Sequence, residues 1–381
     1  MTTRIGIVGT GFIARGLALA LGRKEIWRVS KVLTRRKIVH CKDFPRPDLL
    51  TNSIQELIDH VDVVVECSGD VINATDVIAQ VIAVGFPIVT MNSEFHVTTG
   101  SYFVGKGMLS EAEGDQPGCL AELRENILAM GFSPLVYGNV KGFYNPNPSQ
   151  EDMVFWSKKQ GISLRTVTAA TDGTKIQFEQ ALVANGLGAD ILKQGMLAPR
   201  VDDLHQGAIE LAEKSTVKGK AICDYVLLPG SETRVFIVAT HQEIDRKNLE
   251  YLKMGPGPYY LHKQDSILTY LEIPKTIQRI LDGKPPLLNN STNPRIGVAA
   301  VAKKMLKRDE YIEEAIGGFE VRGIAINILE FPDHVPIGLL RNARLKRNVR
   351  AGKMLRLDDV ELNPSFAVDV WFILRERIIN G

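Results

Sequence analysis

The sequence predicts an α/β protein that begins with a doubly wound parallel sheet. Between residues 5 and 91, short β-branched runs alternate with longer segments of helical periodicity, and a glycine-rich turn joins the first strand to the first helix. The length of 381 residues predicts two or three domains, each large enough to bury its own core.

The elements of this sheet follow one another closely along the chain. The first strand covers Ile5-Gly6-Ile7-Val8, and apolar residues recur through Leu17, Leu19 and Leu21 in the helix after it. The later strands are predicted at 29–34, 61–66 and 87–91, and the later helices at 54–60 and 71–84.

The turn after the first strand has the pattern of a dinucleotide-binding Rossmann fold. Gly9 permits the tight turn, Gly11 lets the backbone approach a pyrophosphate, and Ala14 takes the place of the third glycine. The following helix presents free N–H groups and its positive dipole end to the anion. We therefore expect Gly9, Thr10, Gly11, Phe12 and Ile13 to bind the cofactor.

The tip of the second strand favours NADP(H) over NAD(H). The chain has Thr34-Arg35-Arg36 there in place of an acidic residue. A carboxylate accepts a hydrogen bond from the ribose 2′-hydroxyl, whereas guanidinium and hydroxyl groups suit a 2′-phosphate. A solvated basic loop that includes Lys37 is the alternative.

Two further strand tips predict where the nicotinamide and the substrate lie. Ligands of an open parallel sheet bind beyond the carboxyl ends of its strands. Ser68 and Gly69 follow the strand at 61–66 and are candidates for cofactor contact, and Glu94 follows the strand at 87–91 and is a candidate for substrate contact. Glu94 could instead begin a solvated loop.

Composition argues against several other classes of protein. The net charge of +2 creates no general attraction to nucleic acids or membranes, so neither is expected as a partner. Four scattered cysteines fit reduced cytoplasmic thiols better than a disulfide framework or a zinc site. No signal peptide and no membrane-spanning segment is expected.

Several short motifs, in order along almost the whole chain, resemble one enzyme family. The chain resembles the homoserine-dehydrogenase-like oxidoreductases, and in particular a subgroup with a carboxyl-terminal SAF domain that is similar to 1-deoxy-D-xylulose-5-phosphate reductoisomerase. The motifs are Asn92-Ser93-Glu94, Gly114-Asp115-Gln116-Pro117-Gly118, Asp172-Gly173-Thr174-Lys175, Ala184-Asn185, Gly255-Pro256-Gly257-Pro258, Ile316-Gly317-Gly318 and Val335-Pro336-Ile337-Gly338.

This resemblance implies a domain order and an activity. It implies an NADP-binding Rossmann domain at 1–140, a catalytic and dimerisation domain of α+β type at 141–294, a linking helix at 295–316 and a small β-rich SAF-like domain at 317–381. Members are expected to move hydride between NADP(H) and a small carbonyl or hydroxyl compound and to form homo-oligomers, as dimers or tetramers. Ser93 departs from the Asn-Lys of homoserine dehydrogenases, which puts homoserine in doubt as the substrate.

Lysines and carboxylates supply the candidate catalytic groups. Hydride transfer to a carbonyl builds negative charge on oxygen, so a proton donor or a fixed positive charge is needed there. Lys175 is our first candidate, with Asp172 and Glu179 on the same face if a helix begins near residue 172. An ordinary helix cap with a surface ion pair is the alternative.

Other candidates are placed less directly. Lys141 ends what we expect to be the last strand of the Rossmann sheet and could hold a phosphate, or could be a solvated linker residue. We expect Asn92, Ser93 and Asn185 near the substrate, and His262, after a rigid Gly-Pro loop, as a proton relay. By resemblance only, Mg²⁺ or Mn²⁺ could bind Glu94, Asp172 and Glu179.

Taken together, these features predict an NADPH-dependent reductase or reductoisomerase of a small, phosphorylated ketose or polyol. A dehydrogenase of an unphosphorylated hydroxy acid or of a sugar for surface glycans is the first alternative. A cofactor-binding regulatory protein that has lost its catalytic residues is the second.

Overall fold

A six-stranded parallel sheet forms the amino-terminal part of the protein in the computed structural model, which describes residues 2–23 and 25–380. The strands are β1 (Thr3–Val8), β2 (Trp27–Leu33), β3 (Leu50–Thr51), β4 (Val63–Glu66), β5 (Ile88–Thr90) and β6 (Leu109–Glu111). They lie in the order β3-β2-β1-β4-β5-β6, so the winding reverses between β1 and β4. The predicted α/β class with a Rossmann sheet is confirmed.

Side chains at the carboxyl ends of these strands start several of the connecting helices. The helices are α1 (Phe12–Leu21), α2 (Ile54–Ile58), α3 (Val71–Ala83), α4 (Ser93–Thr98) and α5 (Gln116–Ala129). Ser53, Asp70 and Asn92 each accept a hydrogen bond from a backbone N–H in the first turn of α2, α3 and α4. Such caps satisfy donors that the helix itself cannot.

A mixed four-stranded sheet follows. Its strands are β7 (Ser133–Lys141), β8 (Ile222–Leu227), β9 (Arg234–Thr240) and β10 (Tyr260–Gln264), in the order β10-β9-β7-β8. The helices of this part are α6 (Gln150–Gln160), α7 (Leu164–Thr171), α8 (Thr174–Leu187), α9 (Leu204–Lys218), α10 (Arg246–Tyr251) and α11 (Ile273–Leu281). The expectation that the strand ending at Lys141 closes the Rossmann sheet is wrong, because β7 pairs with β8 and β9.

The carboxyl-terminal region is rich in β structure. It contains β11 (Ile296–Ala302), β12 (Tyr311–Glu314), β13 (Val321–Asn327), β14 (Arg341–Leu345), β15 (Val360–Glu361) and α12 (Phe366–Asn380). β11 pairs with β13, and β14 lies between β12 and β15.

The linking helix predicted at 295–316 is wrong, since this segment contains strands β11 and β12. All seven residues of β11 are buried, and they pair with β13 over the full length of the strand. A short run of small apolar residues fits a buried strand or a buried helix equally well, and only pairing decides between them. The domain limits at 140, 294 and 316 stay predictions, and their outer ends, Met1 and Gly381, lie outside the described residues.

Helix α8 lies at the centre of the molecule. It packs against β7, β8, β11, β13, α4, α5 and α7, and most of its side chains are buried. Gly173 precedes it with φ +86°, a conformation that favours glycine, and this turn ends the preceding helix at residue 171. Elements of the amino-terminal sheet region, the central region and the carboxyl-terminal region therefore all pack on this one helix.

A buried ion pair fixes the start of this helix to the carboxyl-terminal region. Asp172 Oδ2 lies 2.6 Å from Lys303 Nζ, just beyond β11, and Thr174 N–H donates to Asp172 Oδ1 at 2.9 Å. The side chains of both charged residues are almost fully buried. Lys303 also donates to the Gly318 carbonyl oxygen at 2.7 Å.

Every helix within residues 2–23 and 25–380 is too short or too polar to cross a membrane.

We predict that Lys303→Ala destabilises the protein by about 3–5 kcal/mol, because it leaves a carboxylate buried without its cation. Urea unfolding, followed by circular dichroism, measures the change. Lys304→Ala is the matched control: Lys304 is the next residue and pairs with Glu320 at the surface, so its loss should cost no more than about 1 kcal/mol. Equal effects of the two substitutions would contradict the role given to the Asp172–Lys303 pair.

Candidate active site

The glycine-rich turn has the geometry that a dinucleotide requires. Gly9 has φ +114°, and a side chain there would meet the carbonyl group of Cys67. Gly11 precedes α1, and a Cβ atom built on it meets no atom within 4 Å. No side chain of a described residue caps α1, so its first N–H groups are available to an anion. The predicted positions Gly9 to Ile13 therefore fit a bound pyrophosphate.

A cleft of about 790 Å³, the adenosine cleft, opens on one side of this turn. Gly9, Thr10 and Gly11 line it, together with Thr34, Arg35 and Arg36 at the end of β2 and Ser68 after β4. Thr10 and Thr34 approach each other through their hydroxyl groups, and Arg36 N–H donates to Thr34 Oγ1 at 3.2 Å. The structure thus brings together the residues that the sequence predicts for the adenosine end of the cofactor.

Glu66, at the end of β4, links the tips of β4 and β5 on one side of the turn. Its Oε1 accepts from Ser68 N–H at 2.8 Å, and its Oε2 accepts from Asn92 at 3.0 Å and from Thr90 at 3.3 Å. Burial raises the pKa of Glu66. Asn92 and Ser93 are fully buried, which contradicts the prediction that they contact the substrate.

A second cleft, of about 700 Å³, joins the glycine-rich turn to the central helix. From the Rossmann side it is lined by Gly11, Phe12, Ile13, Ser68, Gly69 and Glu94, and from the other side by Asp115, Gln116 and Lys175. Lys175 is therefore the candidate catalytic lysine that faces the same space as the cofactor turn.

The Lys175 ammonium group lies among carboxylates. Its Nζ is 2.8 Å from Glu179 Oε1 and 3.2 Å from Asp115 Oδ1, and its side chain is 30% exposed. Gln116, with its amide oriented to donate, bonds Asp115 at 2.6 Å and Glu179 at 3.2 Å. Asn139 on β7 donates to the other oxygen of Glu179 at 3.2 Å. Lys175 and Glu179 are one helical turn apart on α8, as the sequence predicts.

Electrostatics keep this lysine charged. Burial disfavours its ammonium form, but the carboxylates of Asp115, Glu179 and Glu94 outweigh that effect and raise the pKa of Lys175 well above its usual value. Burial raises the pKa of Glu179 to about 7, although Lys175 opposes the shift. The site therefore pairs an ammonium group with a carboxyl group that burial makes easier to protonate.

The structure separates three predicted residues from this site. Asp172 lies before α8, bound to Lys303, so the expectation that it shares a face with Lys175 is wrong. Asn185 holds β11, because its oxygen accepts from the N–H groups of Arg295 and Ile296. His262 packs edge-on against Phe132, with ring centroids 4.4 Å apart, and burial lowers its pKa. Among the described residues that line the second cleft, none of these three is present.

Lys141 faces a neighbouring cleft of about 570 Å³. Its ammonium group donates to the Ala170 carbonyl oxygen, and burial lowers its pKa although Glu179 and Asp172 oppose the shift. Ile162 and Thr233 line both this cleft and the one at Lys175, so the two clefts adjoin.

The residues suggested for a divalent metal do not form a ligand set. Asp172 is bound to Lys303, and the Lys175 ammonium lies against Glu179. Within residues 2–23 and 25–380, no group of three or more acidic, histidine or cysteine side chains is arranged to hold a metal ion. The positive charge at this position comes from Lys175.

Sequence reasoning missed several residues of the site. Asp115 and Gln116 were noted only as part of a motif, although Asp115 contacts Lys175 and its buried Oδ2 has no hydrogen-bond partner in the described part of the chain. The sequence suggests no role for Glu66 or Asn139, because each is a single polar residue in an apolar strand. The position of Glu66 at the end of a parallel strand is the signal that points to the site.

Two family models match the two parts of the chain that form this site. Residues 9–102 match a family model described as the NAD-binding domain of homoserine dehydrogenase, and residues 114–273 match one described as the catalytic domain of the oxidoreductase DRL. The chain has an NAD-binding Rossmann domain and an oxidoreductase catalytic domain. This oxidoreductase thus places its glycine-rich turn in the first domain and Lys175, Asp115 and Glu179 in the second. A search of curated protein sequences found no match.

Several solved structures are similar to this oxidoreductase in part. A probable dehydrogenase from Thermotoga maritima is 13% identical, with 75% of this chain and 91% of that chain covered and a TM-score of 0.43. UDP-N-acetylglucosamine 3-dehydrogenase GnnA from Acidithiobacillus ferrooxidans is 12% identical, with 76% and 92% covered and a TM-score of 0.44. A putative myo-inositol dehydrogenase from Sinorhizobium meliloti 1021 is 12% identical, with 76% and 92% covered and a TM-score of 0.41. Similarity of this degree gives no information about the substrate of this chain.

We predict that two alanine substitutions in the turn affect different properties, one the binding of NADPH and the other the stability of the fold. Gly11→Ala should fold normally, since its φ is −78° and its new methyl group meets open space, but should weaken NADPH binding at least about tenfold. Gly9→Ala should lower the free energy of unfolding by at least about 1 kcal/mol, because φ is positive there.

Thermal unfolding and fluorescence titration with NADPH measure the two effects. If Gly11→Ala bound NADPH as tightly as the wild type, the turn could not be the pyrophosphate site.

Proposed function

We propose that this oxidoreductase is an NADPH-dependent reductase or reductoisomerase of a small, phosphorylated ketose or polyol. The observation that carries the proposal is the placement of the Lys175 ammonium group in one cleft with the glycine-rich turn. A hydride donor bound by the turn and a carbonyl oxygen bound by the lysine can then meet in that cleft.

Each group of the site has a role in this reduction. Bound NADPH supplies the hydride. Lys175 Nζ donates a hydrogen bond to the substrate oxygen and stabilises the alkoxide that develops there. Lys175 then gives a proton to the alkoxide. The carboxyl group of Glu179, whose Oε1 lies 2.8 Å from Lys175 Nζ, returns its proton to the lysine and is itself reprotonated from solvent. Asp115, with one oxygen unpartnered among the described residues, accepts a hydrogen bond from a substrate hydroxyl group.

The preference for NADPH is argued from the end of β2. Arg35, Arg36 and Lys37 line the adenosine cleft. The end of β2 has Thr34-Arg35-Arg36 at the place where an acidic residue would accept from a ribose hydroxyl. Guanidinium groups bind a phosphate through paired, charge-assisted hydrogen bonds.

The preference for a phosphorylated substrate is argued from Lys141. Its ammonium group is partly buried, faces the cleft that adjoins the one at Lys175, and is hydrogen-bonded to a carbonyl oxygen. A phosphate group bound there would leave the carbonyl end of the substrate beside Lys175. We also propose a homo-oligomer and an SAF-like carboxyl-terminal domain, both from the family resemblance.

We predict NADPH oxidation with 1-deoxy-D-xylulose 5-phosphate, measured at 340 nm with and without Mg²⁺ or Mn²⁺. Lys175→Ala should lower kcat by about 100- to 1,000-fold while the Kd for NADPH changes less than about threefold, because the lysine acts on the substrate oxygen. Lys158→Ala, an exposed lysine on α6, should leave both constants unchanged.

Two results would redirect this proposal. Turnover of an unphosphorylated sugar or hydroxy acid, with none of the phosphorylated ketose, would assign the enzyme to a plain dehydrogenase. Tight NADPH binding without turnover on a broad panel of carbonyl compounds would indicate a regulatory protein.

The cofactor preference has its own prediction. Arg35→Asp should weaken NADPH binding by about 10- to 100-fold and leave NADH binding within about threefold, because a carboxylate repels the 2′-phosphate and accepts from a 2′-hydroxyl. Isothermal titration calorimetry with both cofactors measures the change. Equal losses for NADPH and NADH would refute the assigned role of Arg35.

A further inference from the structure

Arg341 reaches the adenosine cleft from the carboxyl-terminal region. It lies at the start of β14, and its side chain lines the cleft that contains Gly9–Gly11 and Thr34–Lys37. Its Nη1 donates to Asp70 Oδ2 at 2.7 Å, and Arg35 Nη2 donates to the same oxygen at 2.5 Å. One buried carboxylate therefore holds two guanidinium groups side by side at the rim of the cleft.

Asp70 cannot neutralise both arginines. It carries one negative charge, and its other oxygen accepts from the Asn73 N–H at 2.9 Å, which caps α3. Burial disfavours its ionised form, but the Asn73 N–H, Arg35 and Arg341 outweigh that effect and hold the pKa of Asp70 below its usual value. One net positive charge thus remains on this group of three residues.

The side chains that line the adenosine cleft also carry a net positive charge. The basic side chains that line it are Arg35, Arg36, Lys37 and Arg341, whereas Asp76 is the one acidic side chain among the described lining residues. Arg35 and Arg341 are 51% and 37% exposed, so both can turn donors toward a ligand while they stay near Asp70. A dianion suits this charge distribution better than a neutral hydroxyl group.

The segment before Arg341 is packed tightly against the Rossmann domain. A Cβ atom on Gly338 would lie 2.6 Å from Thr98 Oγ1 on α4 and 3.0 Å from a methyl group of Val71 on α3. Because the backbone is held this closely, the position of Arg341 at the cleft is fixed by packing and not only by its ion pair with Asp70.

We propose that Arg341 and Arg35, aligned by Asp70, form a two-guanidinium site for the phosphate monoester on the adenosine ribose of the cofactor. The inference rests on the proposed use of NADPH and extends it, because the carboxyl-terminal region becomes part of the cofactor site. NADH has no group to engage the second guanidinium, so Arg341 contributes to the choice between the two cofactors.

The test compares Arg341→Ala with Arg344→Ala in titrations with NADPH and NADH. Arg344 is the matched control, since it lies on the same strand and pairs with Glu361 at the surface. Arg341→Ala should raise the Kd for NADPH by about 10- to 100-fold and change that for NADH by less than about threefold, because only NADPH loses a charge-assisted contact. Arg344→Ala should change neither value.

The NADH titration also reports whether Arg341→Ala is folded. Unchanged NADPH binding, or equal losses for both cofactors, would overturn the phosphate site at Arg341. If the wild type itself bound NADH as tightly as NADPH, the proposed NADPH preference would fail; if the wild type preferred NADPH and Arg341→Ala kept that preference, the inference about Arg341 alone would fail.

Discussion

The organisation of this enzyme depends on one positive charge held among carboxylates at the start of a buried helix. Lys175 projects from α8 and contacts Glu179 on the same helix and Asp115 before α5. An isolated ammonium group would be costly in this position, and the surrounding carboxylates compensate for that cost. The same carboxylates favour the protonated form of the lysine, which suits the role in alkoxide stabilisation that we propose for it.

The central position of α8 explains how distant parts of the chain contribute to one reaction. β7 supplies Asn139 to Glu179, the segment before α5 supplies Asp115 and Gln116, and β4 and α4 supply Ser68 and Glu94 across the cleft. The carboxyl-terminal region packs on the other side of the helix and reaches it through the Asp172–Lys303 pair. Hydride transfer requires two reactants at a fixed separation, and a buried helix is a rigid support for that geometry.

Much of the nucleotide-binding domain could be predicted from local sequence, because its strand and helix periodicities and its glycine spacing are short-range signals. The predicted helix at 71–84 and strand at 61–66 are found as Val71–Ala83 and Val63–Glu66. Part of the catalytic group was equally accessible, since Lys175 and Glu179 are one turn apart on one helix. The strand at 296–302 could not be predicted in this way, because a run of small apolar residues does not reveal whether it pairs with another strand.

Four features follow from local sequence: the Rossmann fold, the glycine-rich turn, the basic tip of β2 and the lysine–glutamate pair. Each of these depends on residues a few positions apart, whose relative placement follows from backbone geometry. Three contacts became visible only in the folded chain: Asp172 pairs with Lys303, Asp115 contacts Lys175, and Arg341 pairs with Asp70. These contacts join residues 60 to 271 positions apart, and the choice among many possible long-range partners is made by packing and charge compensation in the folded chain.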